Sequence, residues 1–573
     1  MNKTPLALML SASLLVPALA SAAPSCGDLS AHMPAKADSF AAFRESVAGA
    51  LRQAGDAATA ARVEALAAGR AVPAAEASLA SCLLRRYTVA RYGERMVPDL
   101  QAMVGFQTFA IEGKTNWDLP EFVRQREWLQ KKAAELQLEF KSYDGRVDEI
   151  VLSGPEPILA VLTHGDVQDV QNQQWSSPPW EAKLVGDRIV GRGTEDDKGP
   201  IVATMYAMAA LRDTGWPLGM SIRLLSANSE ESSWEEIPYY LERAPKPAMT
   251  FGIDASYPIV HAQKGYGVLT LEGKGAETPK KAEWWIVEMS GGSGMSIIPE
   301  KGEAVLETSR YPEGALTELR RRAAEWAAAH PPARLTVQQE KGLRFHVIAE
   351  GKGGHSSEPS SGHNALADLT AFLSTLDLKM DARGALAAFV GSTVKTETDG
   401  RSLGIATHDE GIGDLTVNVS FLREKEGAPV AEINLRVPRG ISNEEVQRRV
   451  AAKAAEFQKR TGATIEVDSA RPSEPHWAPP DGPLAKGLLE VWEEVTGTPG
   501  KPLAIGGGTQ ARLFPGGVDF GPALAMERYR GHGPDEYLTV GELHRIAELT
   551  VAALWKLAGA AHEAAPRSAQ GQI

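Results

Sequence analysis

Cysteine is almost missing from this chain: among 573 residues there are two, Cys26 and Cys82. Neither lies in a paired Cys-x-x-Cys, so cysteine takes no part in the chemistry read below. Positive charge is the minority sign, with 60 Lys and Arg against 73 Asp and Glu and a formal net charge of −13. Such a surface attracts neither a phosphate backbone nor acidic lipid headgroups, which argues against nucleic-acid and anionic-membrane partners and leaves small molecules as the expected ligands. Long apolar runs are lacking outside the N-terminus, so nothing there is expected to span a bilayer. There is no convincing short-period repeat.

What is present is a globular composition, 43% hydrophobic and 23% charged, on a chain too long for one ordinary core. Two or more domains are expected. The opening MNKTPLALMLSASLLVPALASAAP has Lys3, an apolar stretch from Leu6 to Val16, and small residues at Ala20 to Ala23, which is the layout of a cleaved signal over residues 1–23. Cleavage after Ala22 or Ala23 and an exported product, periplasmic or secreted, are expected. A lipid anchor on Cys26 is the rival, although Ala23-Pro24-Ser25 lacks the usual leucine. Export would carry both cysteines into an oxidising compartment, where a bond between them is plausible and two free thiols are the alternative.

From residue 24 to about 95 the chain is Ala-rich with Leu, Val and Phe at helical spacings, as in FAAFRESVAGALRQAG, and reads as a small helical extension without a catalytic signature. TNWDLPEFVRQREWLQKKAAELQL follows as an amphipathic helix, and ILAVLTHGDV as a buried strand delivering His164 and Asp166 at its end. KGPIVATMYAMAALRDTG predicts a helix from near Pro200 to Gly215. MSIRLLSANSEES and AMTFGIDASYP are two further strands, leading to Glu230, Glu231 and Asp254. Strands alternating with helices, with polar residues at the strand ends, predict an α/β unit over 96–262 that carries its site along one sheet edge. Residues 263–474 change to mostly strand-like segments such as LRFHVIAEGKGGHSS and LTVNVSFLREKEGAPVAEINLRVP, and read as an inserted α+β domain. The α/β style returns over 475–562 and ends in a helix with a Thr539/Glu542 capping box that buries Leu543, Ile546, Thr550, Leu554 and Leu557 on one face. A disordered tail is expected at 563–573.

The stretch GRGTEDDKGP puts Glu195, Asp196 and Asp197 in a row, where like charges repel. A solvated acidic turn is the plain explanation; a bound cation is the other. Metal ligands are lone-pair donors held on rigid elements, and two-zinc sites use His and carboxylates with one carboxylate bridging metals about 3.5–4 Å apart. Successive strand ends or the loops after them supply His164, Asp196, Glu230 with Glu231, and Asp254, and a late His532 completes the set. A lone strand-end acid or histidine is usually a hydrogen-bonded structural residue, but a spaced series on one edge is not well explained by coincidence.

At these residues the sequence resembles the co-catalytic zinc peptidase family that includes dipeptidase V, carnosinase, glutamate carboxypeptidase and acetylornithine deacetylase. THGDV, GRGTEDDKGP, SANSEES, GIDASYP, GKGGHSSEPSSGHNA, INLRVP, GGGTQAR and HGPDE carry the resemblance, in the family's order from about residue 96 to 560. GRGTEDDKGP with a long insert is most similar to the dipeptidase V-like branch. The resemblance implies a zinc-peptidase catalytic domain with a central mixed sheet flanked by helices, interrupted by an inserted lid. It also implies two Zn2+ per chain, Co2+ or Mn2+ being possible in their place. Asp196 would bridge, with His164 and Asp254 on one metal and Glu231 and His532 on the other. Asp166 would hydrogen-bond the far nitrogen of His164, and Asp197 would shape the loop, preceded by a cis bond from Asp196. Glu230 would be the general base, and His355 would reach from the lid to polarise the scissile carbonyl. Arg436 would clamp the substrate carboxylate, and Gly507, Gly508 and Thr509 in GGGT could present N–H groups to it or form only a tight turn. Where many relatives carry Asn-Met-Val-Pro in the lid, this chain has Ser296-Ile297-Ile298-Pro299, a departure at a carboxylate contact.

The activity so implied is hydrolysis of short peptides, dipeptides first, by an exported monomer or dimer. Deacylation of N-acyl amino acids on the same site is the sibling chemistry. A periplasmic protein that grips peptides without cleaving them is the alternative of another class, and it would have no need of Glu230.

Overall fold

Three parallel strands, Ile158–His164, Ser221–Ala227 and Met249–Gly252, form the centre of a nine-stranded mixed sheet. Their runs of Ile, Leu, Val, Ala and Phe are buried on both faces because helices cover the sheet, which is why they read as continuous apolar stretches rather than alternating ones. The sheet order runs Glu139–Tyr143, Val147–Leu152, Ser221–Ala227, Ile158–His164, Met249–Gly252, Val518–Asp519, Ile259–Gln263 and His476–Trp477, with Pro502–Ile505 also pairing Ile259–Gln263. The computed structural model describes residues 26–171, 173–309, 312–340, 342–524 and 529–560. The expected signal segment at 1–23 and tail at 563–573 lie outside the described residues.

The helix after the acidic loop spans Lys198–Thr214 and ends on Gly215, whose φ of 61° is the left-handed conformation that glycine adopts without a Cβ penalty. It starts two residues before Pro200 because Asp197 is its N-cap, which leaves the proline in a first turn where no N–H is needed. The final helix, Val540–Ala558, has the Thr539/Glu542 box, with Thr539 Oγ1 accepting the Glu542 N–H at 3.0 Å and Glu542 Oε2 accepting the Thr539 N–H at 2.8 Å. It buries Leu543, Ile546, Thr550 and Leu554 but only part of Leu557. Leu549, Val551 and Trp555 are buried too, because the N-terminal helices cover what would otherwise be its outer face.

Those N-terminal helices, Phe40–Gln53, Ala57–Ala65 and the long Ala77–Val104, share one hydrophobic cluster with the nine-stranded sheet. Phe40 packs edge-on against Tyr87 at 5.3 Å and Trp216 at 5.2 Å. Cys26 and Cys82 are bonded, tying the start of the described chain to the long helix.

A second, eight-stranded antiparallel sheet has its own core. It enters through Gly265–Ala276 and leaves through Ala463–Ser473, which pair with each other. The hairpin Thr416–Lys425 and Ala428–Val437 lies within it and carries Arg436 opposite Tyr266. His355 sits on a loop of this second unit that bridges to Ile297. The architecture is therefore a mixed α/β sheet flanked by helices with a lid domain, as the resemblance implied.

Candidate active site

A parallel sheet gathers its strand C-termini on one edge, and here that edge carries the cluster. His164 ends one strand, Glu230 and Glu231 follow the next after a two-residue turn, and Asp254 follows the third. Asp196 comes from the loop before the helix Lys198–Thr214, and the Asp196–Asp197 peptide bond is cis. Its carboxylate lies between two groups. Oδ1 is 2.8 Å from His164 Nε2, with Asp254 Oδ1 a further 3.6 Å from the same nitrogen, while Oδ2 is 3.0 Å from His532 Nε2, which lies 2.9 Å from Glu231 Oε1. Ligand atoms of His164, Asp196 and Glu231 lie within 4.8 Å of one another, as do those of His164, Glu230 and Asp254.

Buried donors and acceptors normally find partners, yet His164 Nε2 and Asp196 Oδ1, both buried, make no hydrogen bond despite their proximity. Converging lone pairs left unpaired in a carboxylate-rich cluster fit a divalent cation, so the residues present suit the metals that the sequence implied. Burial alone would raise the Asp196 pKa, but the imidazoles of His164 and His532 hold it well below the usual range.

Asp166 requires a correction. His164 Nδ1 bonds to the Asp166 main-chain oxygen at 3.0 Å, while the carboxylate is 3.5 Å away. The carboxylate instead accepts the N–H groups of Glu230 at 3.2 Å and Glu231 at 3.0 Å. The aspartate turns toward the glutamate loop because two donors there are worth more to a buried charge than one imidazole edge. Nδ1–H donation to a carbonyl still leaves the Nε2 lone pair facing Asp196.

Asp197 accepts the His164 N–H at 3.1 Å. Lys198, fully buried, donates to the carbonyls of Met103, at 3.0 Å, and Phe106, so it ties the N-terminal helices to the acidic loop. Glu536 accepts the N–H groups of Glu195 at 3.0 Å and Asp196 at 3.1 Å and pairs with buried Arg192 at 2.6 Å. Arg192 also holds the His532 carbonyl at 3.1 Å. Burial, followed by the negative charge of Asp254, pushes the Glu230 carboxyl well up. Trp234, at a left-handed φ of 58° that is unusual for a bulky residue, gives its indole N–H to the Glu230 carbonyl.

His355 belongs to the second unit, and the charge of His532 is among those that act on its ring. The Ser357 N–H donates to its Nδ1 at 3.3 Å and the Ser357 hydroxyl lies 2.6 Å from the same atom, so a neutral ring carries its proton on Nε2. The residue is exposed, but the protein around its ring, then the charges of Arg436 and His532, lower its pKa to about 4. Arg436 is buried with no carboxylate at ion-pair distance among the described residues. It donates to Asn434 at 3.2 Å and to Ser296 at 3.2 Å, the residue at the lid's departure from the family pattern, and stacks on Tyr266 at 4.9 Å.

The GGGT segment also differs in part from expectation. The Thr509 N–H is already given to Gln263 Oε1 at 3.0 Å and its hydroxyl to Asp519 at 2.9 Å, so Thr509 anchors the loop and has no donor to offer a ligand. Gly507 and Gly508 give their N–H groups to no protein acceptor among the described residues and stay half-exposed.

Several residues were not singled out in the sequence. Tyr529 donates its phenol to Asp196 Oδ2, and Gln168 donates to Glu231 Oε2 at 2.8 Å. An isolated tyrosine or glutamine carries no pattern. Glu536 stands in HGPDE, four residues after His532, so its place in that motif was a usable signal.

The model of the peptidase family M20/M25/M40 matches residues 160–556. The chain is similar to "Putative dipeptidase YtjP" of Bacillus subtilis (strain 168), 32% identical over 423 residues, covering 73% of this chain and 87% of the relative. It is similar also to "Putative dipeptidase SAB1611c" of Staphylococcus aureus (strain bovine RF122 / ET3-1), 27% identical, covering 82% of this chain and 98% of that one. Among solved structures, human carnosine dipeptidase 1 shares the fold with a TM-score of 0.50 at 13% identity, covering 82% of this chain and 98% of that one. With most of its length matched, the chain belongs to the peptidase family M20/M25/M40.

Proposed function

We propose that the protein is an exported metal-dependent dipeptidase, and the observation that carries this is Asp196 lying between two sets of ligands. His164, Asp254 and one Asp196 oxygen would hold one ion, and His532, Glu231 and the other oxygen a second. Zinc is the metal we favour, with Co2+ or Mn2+ as substitutes. When bound, such ions supply Lewis acidity and make water acidic enough to be deprotonated near neutral pH.

The rest of the chemistry belongs to the side chains. Glu230 takes the proton of the attacking water on its carboxylate and returns it to the leaving amine. Its place beside the ligands, one residue before Glu231, puts it within reach of a water held there. His355 Nε2–H donates to the scissile carbonyl oxygen as negative charge grows there, and its neutral ring keeps that role over most of the pH range. Arg436, with the N–H groups of Gly507 and Gly508, receives the substrate carboxylate. Ser296 holds one arm of the guanidinium in place. Family membership and the dipeptidase names of the relatives support peptide hydrolysis. The Cys26–Cys82 bond supports export to an oxidising compartment, periplasmic or outside the cell.

The test is a hydrolysis screen of free dipeptides, tripeptides and N-acyl amino acids by metal-stripped protein with added Zn2+, Co2+ or Mn2+. Metal-dependent release of amino acids from free dipeptides is expected. Cleavage confined to N-acyl amino acids would move the assignment to a deacylase, and tight peptide binding without turnover would move it to a binding protein.

A further inference from the structure

The chain crosses between its two sheets twice, and both crossings lie side by side. It leaves the strand Ile259–Gln263 at Lys264 to enter Gly265–Ala276, and it returns from Ala463–Ser473 through Glu474 and Pro475 to His476–Trp477. The two paths pair on either side of the gap, Tyr266 with Ser473 and Gln263 with His476. A Cβ on Gly265 would come within 2.4 Å of the Ser473 carbonyl oxygen, so the crossings touch.

Arg512, on the short turn Gln510–Leu513, reaches across both. Its Nη1 donates to the Lys264 carbonyl at 3.1 Å and its Nη2 to the Glu474 carbonyl. One planar fork thus holds one main-chain oxygen from each crossing. No carboxylate lies at ion-pair distance from it among the described residues, so the guanidinium is committed to these carbonyls. The same group borders the glycine loop, since a Cβ on Gly508 would lie 2.8 Å from Nη1. Two residues earlier in that loop, a Cβ on Gly506 would lie 2.8 Å from the Ser357 Cβ, on the segment that carries His355.

We propose that Arg512 is a positioning residue that clasps the two crossings and so holds the His355 and Arg436 side of the cleft over the metal cluster. The proposal rests on the dipeptidase reading for its kinetic consequence but not for its structural one. A lysine keeps the charge yet offers no fork, so it cannot bind both carbonyls in plane.

Spin labels at the exposed positions Lys425 and Lys486 report the distance between the two units, and kinetics are read on the best dipeptide from the screen. In Arg512→Lys, metal content is expected to stay normal while the label distance lengthens or broadens. Its kcat/KM should fall about 10- to 100-fold, with KM raised and kcat lowered together, because a displaced donor and clamp weaken both chemistry and binding. Gly265→Ala, which pushes the crossings apart without touching the guanidinium, should reproduce both changes. Wild-type distances with wild-type kcat/KM in the two variants would overturn the clasp. If Arg512→Lys does not fold, Gly265→Ala decides alone by the same readouts. If the wild-type protein hydrolyses no dipeptide, the proposed function falls, while the label distances still decide the clasp.

Discussion

Glu230 and Glu231 are neighbours in sequence with different surroundings, and substitution should separate them. Glu230→Gln is expected to keep its metals, measured by elemental analysis, and to lose about 10²- to 10⁴-fold in turnover, as removal of a general base does. Glu231→Gln should lose metal and activity together, since its Oε1 lies 2.9 Å from His532. His355→Ala should lower turnover about 10²- to 10³-fold with metal content unchanged; zinc loss there would mark it as a ligand. His355 also has a pH signature. Its folded pKa of about 4 lies below the ordinary value of 6.5, so between these two the unfolded chain binds a proton that the folded chain does not. Its contribution to stability is therefore constant above about pH 6.5 and is lost as pH falls toward 4. Histidine-selective NMR, with the resonance assigned by its loss in His355→Ala, should show this ring titrating near pH 4, and titration of that same ring near 6.5 would refute the assignment. His164, Asp196, Glu231, Asp254 and His532 were legible because strand ends and motif order point to one edge. Asp166 was legible as a nearby acid but not in its aim, which depends on where the Glu230 and Glu231 N–H groups turn. Tyr529 was not legible, because its contact with Asp196 joins residues 333 apart in sequence.

At the scale of elements, the site depends on how the acidic loop enters its helix. A Cβ on Gly199 would lie 2.2 Å from the Thr194 carbonyl oxygen, a backbone atom with no room to give. Gly199→Ala should therefore displace the loop holding Asp196 and weaken metal affinity, which competition with a chelating dye would measure. Unchanged affinity would mean the loop tolerates the shift. The capping box gives a contrasting case, since Thr539→Ala removes an N-cap that itself bonds to no candidate ligand. It should cost about 1 kcal/mol, read as a lower melting temperature with unaltered metal affinity. Both elements were legible locally, the helix from its Gly215 stop and the last one from Thr539 and Glu542. Less legible was the last helix's second buried face. Periodicity marks one apolar stripe, while Trp555 is covered only because Trp216 and the N-terminal helices come from elsewhere in the chain.

For the whole molecule, the N-terminal helices are part of the catalytic core and not an appendage. Phe40, Tyr87 and Trp216 join the two, and Lys198 is anchored in carbonyls of the residues around the end of the long helix. The bond between Cys26 and Cys82 closes a loop of 56 residues, for which the chain-entropy account gives about 4 kcal/mol. Cys82→Ser should therefore melt at lower temperature than wild type, and a reductant should lower the wild-type melting temperature toward that of the variant. The sequence showed the extension's helices but not their docking, because an Ala-rich amphipathic face does not say which surface covers it. The paired crossings have a further consequence. Because Gln263 and His476 stand opposite each other as antiparallel neighbours, a two-residue turn could close them into a hairpin, and the intervening domain could be excised or exchanged for another without rethreading the catalytic sheet. All five candidate ligands lie outside the excised segment, whereas His355 and Arg436 lie inside it. Such a minimal protein should retain metal affinity and hydrolyse nothing, and grafting a different insert onto the same hairpin would be a route to new substrate preferences on an unaltered metal centre.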